Sequence, residues 1–145
     1  MARLSLVYML IGFVLVFLSA SGGVFIALDL TYKFISNDQA VSWLTTLQTS
    51  SHGHTALFGV VDILIGLTLP YVIASERMKL IQFYAVVAGS IAMGPGMIAR
   101  AFIGPEVESD VLGIVMGCML SAWLFAIGYH IFGLSKKIYF SKYRV

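Results

Sequence analysis

At 145 residues, of which 59% are hydrophobic and only 11% charged, the chain lacks the polar surface that a soluble domain needs. Its mean hydropathy of +0.94 calls instead for a single domain immersed in a lipid bilayer. A net charge of +2 is too small for a nucleic-acid-binding surface, and the single cysteine, Cys118, excludes a disulfide framework.

A bilayer core of about 30 Å is crossed by about 20 apolar residues in helical form. Four stretches meet that length. The first, residues 4–28, contains no charged side chain. It is too long for a signal-peptide core and lacks a cleavage site, so it reads as a retained helix resembling a signal anchor. In the polar segment that follows, Val41, Trp43, Leu44 and Leu47 fall at helical spacing behind Asn37 or Asp38 as a cap. That pattern predicts a short interfacial helix with Trp43 at the headgroup level. The second span covers residues 54–74, with His52-Gly53-His54 at its opening turn. The third, 80–103, contains Pro95, whose missing N–H predicts a kink or interruption. The fourth, 111–134, leads into a basic, aromatic tail. Alternating ten-residue strands are absent, so the expected fold is all-α, four transmembrane helices in an arc or bundle.

Charge orients this arrangement. Arg3, Arg77, Lys79, Lys136, Lys137, Lys142 and Arg144 fall on one side of the four spans. The other side carries Lys33 and Arg100 against Asp38, Glu106, Glu108 and Asp110. The positive-inside rule places both termini and the Ser75–Lys79 turn in the cytoplasm, and the two longer connections outside. The expected location is the cytoplasmic membrane, with the chain crossing it several times.

Polar groups within a membrane are costly, so each is a functional candidate. His52 and His54 are two apart, about 200° around a helix, and point to nearly opposite sides. One helix then offers a ligand to each of two neighbouring sites; in a non-helical first turn the pair would chelate one metal. Neutral imidazole is a common metal ligand and a haem axial ligand, while the bland alternative is two solvated interfacial histidines. Asp62, eight residues after His54, lies on the same face and about 12 Å deeper. It reads equally as a ligand-orienting or proton-relaying group and as a hydrogen bond between helices. Arg100, near the depth of the histidines, suits a haem propionate, because guanidinium grips carboxylate with two donors. Its alternative is a snorkelling side chain paired with Glu106 or Asp29. His130 falls roughly 30 Å from the outer surface and reads as an interfacial or packing residue. Met93, Met97, Met116 and Met119 read as packing before they read as axial or copper ligands. No phosphate loop or Ser–His–Asp arrangement occurs, and Cys118 has no neighbour to activate it.

The segments Ser19–Gly23, Ser50–Gly59 and Leu69–Pro70, reading SASGG, SSHGHTALFG and LP, together resemble one part of a known family. They are similar to the catalytic subunit of respiratory nitric oxide reductases, within the haem–copper oxidase superfamily. The resemblance covers about Ser19–Pro70; beyond it only helix number, length and orientation agree. It implies that His52 and His54 are axial ligands of two haems on opposite sides of one helix. It also implies a fold equivalent to one of three four-helix arcs. The histidines and glutamates of the family's binuclear centre have no counterpart here, so catalysis of that kind is not expected.

The expected function is therefore a membrane b-type haem protein that transfers electrons, rather than an autonomous oxidoreductase. His52 and His54 would bind the iron and Arg100 a propionate, near the extracytoplasmic side. A quinol or another redox protein is the expected partner, with a homo-oligomer, a trimer by the family's pseudo-symmetry, placing haems between subunits. The alternatives are a non-haem copper protein using the same histidines, and a structural or assembly subunit of a respiratory complex.

Overall fold

The computed structural model describes residues 2–36, 42–103 and 111–142. Among them every regular element is helical: α1 (Ala2–Ile35), α2 (Trp43–Thr68), α3 (Glu76–Ile91), α4 (Met97–Ile103) and α5 (Val111–Lys142). A 3-10 turn, Leu69–Tyr71, extends α2, and a π turn, Ala92–Gly96, joins α3 to α4. Four units, Ala2–Ile35, Trp43–Tyr71, Glu76–Ile103 and Val111–Ser141, are long and apolar enough to cross a membrane. The chain is a multi-pass, four-helix membrane protein, with both termini at one end, here called inner.

The helices outrun their apolar cores. α1 continues through Asp29 and Lys33, which form an ion pair at 2.6 Å one turn apart. α2 begins at Trp43, where the Ser42 side chain accepts a hydrogen bond from the Thr45 N–H and caps the helix. The expected short interfacial helix is thus the first two turns of α2 itself. His52 and His54 lie in the third and fourth turns, not at its opening. The proposed caps Asn37 and Asp38, the Glu106 loop and Arg144 lie outside the described residues.

Close approach of α1 and α2 is built on small residues. A Cβ on Gly12 would run into the Gly59 carbonyl, and one on Gly59 would lie 2.8 Å from the Gly12 carbonyl. The backbones meet there because neither carries a side chain, the usual device where lipid removes the hydrophobic drive between helices. α3 packs along α5, and α2 meets the π turn and α4. In the inner half all four spans converge on Tyr8, Ile65, Leu69, Val86 and Ala126. The arc-or-bundle expectation resolves as a bundle at this level.

Pro95 has the effect its chemistry dictates. Five residues around it, Ala92–Gly96, wind as a π turn, and the Ser51 hydroxyl donates to the Gly94 carbonyl at 2.9 Å. A neighbouring side chain thereby satisfies backbone that the proline has disturbed.

Candidate functional site

A cavity of about 740 Å³ opens at the outer end between α1, α2, the π turn and α4. Its wall is mostly apolar, with Leu15, Leu18, Phe25, Ile26, Pro95 and Ile98; its polar groups include Ser19, Ser51, His52 and Lys33. Cavities of roughly 300–1,000 Å³ with a few polar groups accommodate cofactor-sized molecules.

His52 is fixed by α1. Its Nδ1 lies 2.8 Å from the Ser19 carbonyl and 2.9 Å from the Ser19 hydroxyl. That hydroxyl donates to the His52 carbonyl at 2.7 Å. A carbonyl only accepts, so Nδ1 carries the ring proton and the lone pair is left on Nε2. The ring packs against α1 at Gly23, where a Cβ would sit 2.5 Å from its Cε1. Glycine is required there by the histidine.

His54 reaches the same tautomer within its own helix. Its Nδ1 donates to the Ser50 carbonyl at 2.8 Å, with the Ser50 hydroxyl at 3.3 Å, and again leaves Nε2 as the acceptor nitrogen. His54 is not part of the cavity wall. The two imidazoles therefore serve different sides of α2, as a regular helix requires, and chelation of one ion by both is ruled out.

The other candidates separate. Arg100 stacks over the Trp43 ring at 5.4 Å, tying α4 to the start of α2, and does not line the cavity. The cation on the cavity wall is Lys33, which bonds to Asp29 and, at 3.1 Å, to the Thr45 hydroxyl. Neither Met93 nor Met97 lines the cavity. Among the described residues no group of three His, Cys, Asp or Glu side chains converges on a point.

His130 sits in the inner half and is nearly fully buried. The Thr68 hydroxyl donates to the Leu64 carbonyl at 2.6 Å, so its contact with His130 Nε2 at 2.8 Å is an N–H donated by the histidine. The Gln82 amide donates to His130 Nδ1 at 2.8 Å. Both ring nitrogens are consumed. Asp62 is also fully buried, and its Oδ2 lies 3.2 Å from the Ser90 hydroxyl.

Compared with protein-family models, curated proteins and solved structures, the chain matches none. The chemistry of the site therefore stands on its own geometry. Ser19 and Lys33 were not singled out as site residues from sequence. Ser19 is 33 positions before His52, and no local pattern links them.

Proposed function

We propose that this chain is a membrane haem protein that carries electrons near the outer, extracytoplasmic face, with His52 and His54 as axial ligands. The observation that supports this best is the state of the two rings. Each holds its Nδ1 proton against a main-chain carbonyl and keeps Nε2 as an acceptor, the arrangement that orients metal-binding histidines. His52 adds a largely apolar cavity, lined also by Gly22, where an added Cβ would meet nothing within 4 Å. Lys33, with Arg100 just beyond the wall, is suited to a propionate. The haem would supply one-electron chemistry. The protein would orient the ligands, exclude water and hold the carboxylates. The resemblance of Ser19–Pro70 to one arc of a nitric oxide reductase subunit agrees with this reading.

A six-coordinate haem needs ligands on both faces, and the cavity wall contains one histidine and no methionine. His54 of a neighbouring copy would supply the second ligand, and a homotrimer would hold the haems between its subunits. The backbone is open for such an approach: a Cβ on Gly22 or Gly53 would meet nothing within 4 Å. A site closed on both faces is suited to electron transfer, with a quinol or a redox protein as partner, rather than to gas reduction.

The test is a visible spectrum and metal analysis of the purified protein, with its mass in detergent. A Soret band with low-spin character in a trimer is expected. Copper without a Soret band would select the non-haem alternative. Absence of both would leave an assembly subunit. A high-spin haem that binds carbon monoxide would refute the closed site.

A further inference from the structure

The inner half contains a second set of polar groups that the haem reading does not use. Asp62, Tyr8 and Gln82 are at most 3% exposed, yet Asp62 Oδ1, the Tyr8 hydroxyl and Gln82 Oε1 have no hydrogen-bond partner among the described residues. The packing orders them in depth. α1 and α2 run antiparallel, with Gly12 beside Gly59 and Ser5 beside Gly66, which brings Tyr8 to the level just inside Asp62. Gln82 lies one level further in, bonded to His130, which in turn bonds to Thr68. Below them Lys79, also buried, lies 3.6 Å from the exposed carboxylate of Glu76 at the inner surface.

The geometry at Asp62 accommodates a proton. Ser90 has one hydroxyl proton and two acceptors, Asp62 Oδ2 at 3.2 Å and the Val86 carbonyl at 3.1 Å. A proton on the carboxyl completes both bonds, the acid donating to Ser90 and Ser90 donating to Val86. No ion pair reaches Asp62 among the described residues. α3 reaches it with Ser90, and α1 brings Tyr8 to its level; α5 packs Ala126 and Trp123 into the core beside them, and the other buried ionisable groups among the described residues are His130 and Lys79. An unpaired carboxylate at this depth would cost several kcal/mol, on the order of the ~3 kcal/mol found for membrane insertion of a charged residue.

On the outer side the neighbours are apolar. Phe58, one turn before Asp62 on its outer side, stacks on Trp123 with ring centroids 4.4 Å apart, and Asp62 itself does not line the cavity. The polar atoms without partners lie at Asp62 or inward of it, apart from the Trp123 ring nitrogen, which sits in that stack. We propose that Asp62 is a proton-exchange site, held as the neutral acid and loaded from the inner side along His130, Gln82 and Tyr8. Water recruited by the unpartnered oxygens would carry the proton between them, as buried water does at other polar interiors. The carboxyl releases a proton to that chain, becomes a carboxylate, and recovers neutrality by the reverse transfer.

The proposal does not depend on haem. Infrared spectra of the whole protein in lipid at neutral pH test it directly, with Asp62→Asn assigning the band. The wild type should show the carbonyl stretch of a protonated carboxylic acid, shifting on transfer to D2O and absent in Asp62→Asn. Exchange into D2O should be slowed about tenfold or more in Tyr8→Phe or Gln82→Leu, each of which removes a step of the relay. Tyr8→Phe deletes only a hydroxyl, so folding is retained. Absence of the band in the wild type overturns the proposal, and so does an exchange rate unchanged in both variants.

Discussion

His52 and His130 lie in opposite halves of one bundle, and the difference between them is one nitrogen. His130 uses both: it donates Nε2–H to Thr68 and accepts at Nδ1 from Gln82. His52 uses one, giving Nδ1–H to Ser19, and its Nε2 has no partner among the described residues. Burial does not reveal this difference: His130 is the more buried of the two. What separates His130 from His52 is the remaining hydrogen-bond capacity and the space beside the ring. The inner ring is locked among side chains, whereas the outer ring borders a cavity of about 740 Å³.

The sharpest way to break this comparison is to remove each ring in turn. His52→Ala should abolish haem retention, measured as the Soret-to-protein absorbance ratio after purification. His130→Ala should leave that ratio unchanged and cost about 1 kcal/mol of stability in detergent, the scale of interhelical hydrogen bonds in membranes. A Soret band lost only in the His130 variant would put the site in the wrong half of the molecule.

The support of the outer ring is open to a second, finer test. Gly23→Val places a side chain where the His52 ring now lies, at 2.5 Å from Cε1 for its first carbon, and should lose haem nearly as completely as His52→Ala. Gly128→Ala, where an added Cβ meets nothing within 4 Å, is the matched control. Ser19→Ala removes the hydroxyl but keeps the carbonyl that accepts from Nδ1. Haem affinity should fall by about tenfold, the lower end of the effect of groups that orient a ligand.

The smallest effects are expected from the cations. Lys33→Ala should weaken haem binding about fivefold, as for a partly exposed charge pair worth at most about 1 kcal/mol. Arg100→Ala, which breaks a stack on Trp43 outside the cavity wall, should do less. Equilibrium haem titration of the two variants ranks them, and the reverse order would return the propionate to Arg100.

Much of this molecule was legible before any coordinates. The charge-free run in residues 4–28 and its three apolar successors specified four spans, because a bilayer core demands that length of helix. Pro95 marked the break in the third, since its missing donor has the same consequence in any helix. The divergence of His52 and His54 followed from helical periodicity alone. The helix ends were less legible. Asp29 read as the end of the first span and Lys33 as a charge beyond it, but α1 runs through both, with an ion pair one turn apart, and Ser42 proved to be the cap of α2.

The pairing of Ser19 with His52, the seat of that ring on Gly23 and the two satisfied nitrogens of His130 were decided only by tertiary structure. Each joins residues tens of positions apart, on different helices whose relative rotation no local pattern encodes. Length, hydropathy and period belong to one helix at a time and can be read along the chain. Which nitrogen retains a lone pair depends on the neighbour that a face meets, and that is settled where backbones close on small residues such as Gly12 and Gly59.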